Sequence, residues 1–141
     1  VREGKKDMFA AMLFAISTVA ISQFGMYYWR AVLASVASQP VSEGVLSAVS
    51  AENRPLRASD FSQFAGLHEL TPELSSQGGS MGLVRFYYGI IRAVDVIVGQ
   101  RVPAIAQWSE REGAVCARYA AVRVGQRLQA NMELVAAMRS C

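Results

Sequence analysis

The pattern of hydrophobic and polar positions divides this chain at Arg30. From Met8 to Trp29 no residue carries a charge, and apolar side chains recur on every side of a helical projection. Such a helix has no water-facing side. Met8 through Tyr28 is 21 residues, roughly 31 Å at ~1.5 Å per residue. This matches a bilayer hydrocarbon core of ~30 Å. The pattern predicts one N-terminal transmembrane helix. Tyr27, Tyr28, Trp29 and Arg30 follow as a membrane-interface belt. The helix is expected to run past the bilayer to Ser38, because the residue before Pro40 resists helical geometry. Two rival readings are a buried core helix and a cleaved signal peptide, with Ser35-Val36-Ala37 as the cleavage site. The run exceeds the ~7–15 apolar residues of a signal peptide.

Beyond Pro40 the elements are shorter. Ser42-Glu43 signals a helix over Gly44–Glu52 with Val45, Leu46 and Val49, broken by Asn53, Arg54 and Pro55. Ser59 or Asp60 caps a second short helix with Phe61, Phe64 and Leu67 on one side. Thr71-Pro72-Glu73 reads as a cap followed by proline at the first helical position. Ser75 to Ser80, with Gly78 and Gly79, reads as a loop.

From Met81 to Gln100 the pattern is strongly helical. Arg85, Tyr88, Arg92, Asp95 and Gly99 form a narrow polar stripe on an otherwise apolar helix, which therefore needs burial on most sides. A second membrane span would have to accommodate three charges. Val102-Pro103 ends this helix. A last helical stretch covers Ala104 to Met138. Ser109-Glu110-Arg111-Glu112 fits a capping box, so the stretch is expected to restart near Glu110.

Strand signals are poor, with no alternating run bounded by turns and no Asn-Gly or Asp-Gly hairpin. The predicted class is all-α: one N-terminal transmembrane helix, then a helical extramembrane domain with two long helices. The expected layout is a basic tail at 1–7 and the span with its extension at 8–39. Short helices and a loop follow at 40–79, and a long-helix hairpin or kinked pair at 80–141.

Two small-residue seams stand out. Ala11, Ala15, Thr18, Ser22 and Gly25 fall at spacings 4, 3, 4, 3 in the apolar helix, with Gln23 beside them. Gly113, Ala117, Ala121 and Gly125 repeat every fourth residue in the last helix. Small side chains let helix backbones approach, and within lipid such packing replaces the hydrophobic drive. Both seams are candidate helix-packing interfaces. For the second, ordinary packing within the chain is at least an equal reading.

Charge sharpens the orientation. Arg2, Lys5 and Lys6 crowd the N-terminus. From Pro40 onward ten Arg face nine Asp and Glu, without a basic run. Nucleic acid binding needs a clustered basic face, so none is expected. Cations before the span place the N-terminus in the cytoplasm and the remaining domain on the periplasmic or extracellular side.

Catalytic apparatus is sparse. His68 is the single histidine, beside Glu69, and reads as a surface or capping residue. No His/Cys cluster with metal-ligand spacing exists. Gly78-Gly79-Ser80 lacks the Walker lysine and the Rossmann glycine spacing. Cys116 and Cys141, 25 residues apart on one helix, would stand roughly 37 Å apart and could not join. Cys116 reads as a small buried apolar residue, and Cys141 as able to pair between chains. Arg111, Arg118, Arg123 and Arg127 read as a solvated face. No enzyme activity, metal or cofactor is expected.

Gly4, the acid Asp7 and the run Gln23-Phe24-Gly25-Met26-Tyr27-Tyr28 resemble the start of pilin-type filament subunits, TadE-like pseudopilins among them. The resemblance covers residues 4–38. Phe9 stands where pilins usually carry glutamate, and the pilin domain that follows is usually β-rich. The resemblance implies a helix packed among copies of itself. The leading expectation is different: a non-enzymatic single-pass accessory or assembly subunit of a larger membrane complex. Its partners would be membrane lipid and other transmembrane helices, its own copies or different chains. A third reading, a membrane-tethered ligand- or lipid-binding module, requires a cavity between the two long helices.

Overall fold

The computed structural model describes residues 2–49, 51, 53–72 and 81–141. All regular structure among them is helical, and none of them forms a strand. The chain forms two compact units, Val1–Leu33 and Ala34–Cys141.

α1 runs without a break over Arg2–Ala37. It is rich in Ala, Met and Leu, good helix formers, and holds no proline. Its end follows the sequence: Ser38 N donates to Ala34 O at 3.0 Å and Gln39 N to Val36 O at 3.1 Å. Pro40 has no N–H to continue the ladder.

α2 spans Glu43–Ala48 and is shorter than the expected 44–52. Val49 leaves helical geometry with ψ near 4°, and Ala51 N closes a turn onto Leu46 O at 2.9 Å. A 3-10 turn at Ala58–Asp60 then leads directly into α3, Phe61–Leu70. Asp60 occupies the N-cap position of α3, as one of the two expected residues, but its side chain makes no cap hydrogen bond to the helix. Ser59 lies inside the 3-10 turn, and the Asp60 carboxylate turns back toward Arg54 and the Arg57 backbone. A bidentate guanidinium is a stronger partner than a helix amide. Phe61 and Phe64 are buried on the expected side, with Leu67 half-buried. Of the expected Thr71-Pro72-Glu73 start, Thr71 instead donates through its hydroxyl to Leu67 O at 2.7 Å, at the end of α3. Residue 73 and the expected loop with Gly78 and Gly79 lie outside the described residues.

α4 spans Met81–Val94 and passes into a π-turn, Asp95–Gly99. The π-turn was not expected. It re-aims Asp95 so that Oδ1 accepts from the Ser109 hydroxyl at 2.9 Å. A Cβ on Gly99 would stand 2.5 Å from that same Asp95 oxygen, so a larger residue there would push the Asp95 side chain aside. Pro103 then occupies the first turn of α5, Pro103–Arg139, where its missing N–H costs nothing. α5 does not restart at Glu110. Ser109 is buried inside the continuous helix and bonds to Ala106 O and Asp95, while Glu110 accepts from Ala58 N at 3.2 Å. Glu112, the acid of that capping box, accepts from the Tyr87 hydroxyl at 3.0 Å, so both capping-box side chains are engaged elsewhere.

α4 and α5 form an antiparallel hairpin, with Tyr87 meeting Glu112 and Asp95 meeting Ser109. α5 is the spine of the second unit, packing against α2, the 3-10 turn, α3, α4 and the π-turn. The core holds Phe64, Ile91, Val84, Val45, Val124 and Cys116, all fully buried. Contrary to expectation, α4 is not buried on most sides. Met81, Val84, Tyr87 and Ile91 face inward, whereas Leu83, Phe86 and Ile90 are exposed. The remainder of the unit is too small to cover more than one side of α4.

Candidate functional site

The surface of α1 is the most unusual feature of the chain. Every residue from Gly4 through Tyr28 is exposed, including Phe9, Phe14, Ile21 and Phe24. The stretch Gly4–Ala37 is long and apolar enough to cross a membrane. All five seam residues, Ala11, Ala15, Thr18, Ser22 and Gly25, lie on this surface with Gln23. A Cβ added at Gly25 would meet no atom within 4 Å. The Thr18 hydroxyl turns back to Phe14 O at 2.8 Å, so its polarity is spent within the helix. A shallow hollow of about 360 Å3 lies over Ala15, Ile16, Val19, Ala20 and Gln23. Tyr27, Tyr28 and Arg30 are exposed, and Trp29 is half-buried.

The α5 seam has a different setting. Ala117 and Ala121 are fully buried and Gly113 nearly so. A Cβ on Gly113 would stand 2.3 Å from Ala58 Cβ, so only glycine fits beneath the 3-10 turn. A Cβ on Gly125 would come within 3.2 Å of Ser42 Oγ at the entry to α2. This seam seats the chain's own short elements.

Polar groups in the core are matched to partners. Asp60, 2% exposed, accepts from Arg54 at 2.9 and 2.8 Å and from Arg57 N at 2.9 Å. The Arg54 guanidinium holds its carboxyl below the usual carboxylate range. Buried Glu112 accepts from the Tyr87 hydroxyl at 3.0 Å. The Tyr88 hydroxyl donates to Ala58 O at 2.8 Å, its ring stacks on Phe61, and burial raises its pKa. Arg85 reaches Glu69 and Ala65 O, which draws the Glu69 carboxyl below its ordinary value.

The arginines expected to form a solvated face of α5 separate into two pairs. Arg111 and Arg118 are exposed, in keeping with a solvated face. Arg123 lies over the Tyr119 ring, 5.3 Å from its centroid. Arg127 donates to His68 O at 2.8 Å and Thr71 O at 3.3 Å, and its guanidinium lies 3.4 Å from His68 Nδ1. It therefore caps the C-terminal end of α3, where a cation complements the helix dipole. Half-buried His68 belongs to that cap.

Reactive chemistry has little to work with. Burial, and next the Glu112 charge, push the Cys116 thiol up to about 12, which leaves it protonated and inert. Cys141 is exposed at the far end of the chain. Among the described residues no three His, Cys, Asp or Glu side chains gather to hold a metal ion. Sequence reading missed the roles of Tyr87 and Glu112, partners that lie 25 residues apart, and of Arg54 and Asp60, which meet across an irregular turn that no periodicity marks. It also missed the exposed side of α4, although Leu83, Phe86 and Ile90 recur at helical spacing. No protein-family model, no curated protein and no solved structure matches this chain.

Proposed function

We propose that this chain is a non-enzymatic single-pass membrane protein that serves as an accessory or assembly subunit through helix packing in the bilayer. One observation carries the reading: α1 is uncharged from Met8 to Trp29 and exposed from Gly4 through Tyr28. In water about 20 exposed apolar residues would drive association or aggregation, whereas lipid accepts them without cost. Backbone pairing inside a helix meets the other demand of lipid. The cations Arg2, Lys5 and Lys6 ahead of the span support a cytoplasmic side there, with the second unit on the opposite side. The seam at Ala11, Ala15, Thr18, Ser22 and Gly25 then receives another transmembrane helix.

A filament-subunit reading has support in the unbroken course of α1 from Arg2 to Ala37. The same exposed surface would then pack among many copies. The ligand-module reading has no comparable observation, since Val84, Tyr87 and Ile91 of α4 are buried in the packed hairpin.

The test is extraction of the full chain in mild detergent, sizing, and identification of co-purifying proteins. A defined complex with other membrane proteins is the expected result. Long homopolymers would favour the filament reading, and a lone monomer would overturn both.

A further inference from the structure

The proposed role of α1 leaves a second apolar surface unexplained. On the outer side of α4, Leu83, Phe86 and Ile90 follow at spacings of three and four, and Ile97 continues the line into the π-turn. They are 56%, 70%, 45% and 72% exposed. A helix facing water would carry polar residues there. Four residues after Ile97, Arg101 ends the line, also exposed.

Charge on this hairpin is sorted. Three of its four acids turn to the chain itself across or beside the hairpin: Asp95 to Ser109 and Arg92, Glu112 to Tyr87, and Glu110 to Ala58 N, while exposed Glu133 near the far end of α5 accepts from Gln129. Arg101, Arg111 and Arg118 are exposed, and none makes an ion pair among the described residues. The apolar line thus ends on an exposed cation, Arg101, with no ion pair among the described residues, an order complementary to anionic headgroups over an acyl boundary.

A second copy of the chain is the rival occupant. Four side chains along one helix fall short of the ~800 Å2 per partner that a stable protein interface buries. Lipid has no such threshold, and a tether supplies the encounter. The second unit begins at Ala34, six residues after Tyr28 in the proposed belt, so chain connection alone keeps it near the bilayer.

We infer that Leu83, Phe86, Ile90 and Ile97, with Arg101, form an in-plane docking face for an anionic lipid surface. This rests on the anchor reading of α1. The second unit would lie against the bilayer, its hairpin held parallel to the membrane.

Spin labels on the full chain test this, placed at Ile90→Cys or Phe86→Cys in a Cys141→Ser background. The protein is reconstituted into nanodiscs of phosphatidylcholine alone or mixed with phosphatidylglycerol. With phosphatidylglycerol present, both labels should collide several-fold more with oxygen than with a nickel chelate. The preference should weaken in phosphatidylcholine alone. Arg101→Gln should reduce the anionic-lipid effect about fivefold, the weight of one basic residue near a charged surface. Labels open to the chelate would place the face in water and overturn the inference. Labels shielded from both reagents would place it against protein and overturn it equally. A third label at Phe14→Cys separates the two readings. Lipid exposure there with water at position 90 sinks only this inference, while water at position 14 sinks the anchor as well.

Discussion

The two small-residue seams look alike in the sequence and meet opposite ends in the structure. Gly113, Ala117, Ala121 and Gly125 are used up inside the chain, with Ala58 and Ser42 seated on the two glycines. Ala11, Ala15, Thr18, Ser22 and Gly25 are exposed along α1. The spacing of small residues therefore states that a helix can be approached closely, not what approaches it. The surroundings decide. The α5 seam is flanked by Cys116, Ala120 and Val124, all buried in a core, whereas the α1 seam is flanked by exposed Phe14, Ile21 and Phe24. One seam builds a domain, and the other is the surface we propose for a partner helix.

The largest expected effect falls on the α5 seam. Gly113→Val should destabilise the second unit by about 3 kcal/mol, because its first added carbon already collides with Ala58. Thermal unfolding of the detergent-solubilised chain reads this out. An unchanged melting temperature would mean that the 3-10 turn is not seated on Gly113.

Next comes the segment that the α5 seam supports. Asp60→Asn removes the ionised acceptor of Arg54 and Arg57 N and should cost about 2 kcal/mol. The pH dependence has a defined sign. The folded-state pKa of Asp60 is lowered, so its contribution is complete above the unfolded value near 4 and fades as pH falls toward the folded value. Acid unfolding of the native chain should therefore have a component that the Asn variant lacks. Parallel acid profiles for the two would count against the pairing.

Tyr87→Phe should cost about 1 kcal/mol, since it withdraws one donor from buried Glu112. Chemical denaturation at neutral pH measures it, and a stability equal to the native chain would mean that water replaces the hydroxyl.

The smallest effect on stability belongs to the α1 seam. Ala15→Leu with Ser22→Leu should leave the melting of the second unit unchanged yet weaken association by about 1 kcal/mol, roughly fivefold. Crosslinking yield or sizing in detergent would show it. Unchanged assembly would remove the seam from the interface.

Local signals explain what could be read ahead of the structure. The charge-free run, Pro40 after α1, Pro103 at the start of α5 and the Phe61/Phe64 pair each depend on neighbours within a few residues, and each lies where the pattern put it. The misses are non-local. Ser109-Glu110-Arg111-Glu112 has the form of a capping box, but a helix already continuous from Pro103 leaves it nothing to cap, and Ser109 and Glu112 both bond across the hairpin. The π-turn is set by Asp95 reaching Ser109, 14 residues away. Arg127 looks like one of a row of surface cations until α3 ends beside it. The apolar pattern of α4 could not reveal that only Met81, Val84, Tyr87 and Ile91 find cover, because cover depends on how much chain is available to provide it.

Membrane residence of α1 is tested most directly by fractionating cells that express the full chain and washing the membranes with alkaline carbonate. An integral helix resists the wash, so the chain should stay in the pellet and leave only with detergent. Recovery of a folded, monomeric chain from the aqueous fraction would contradict the account.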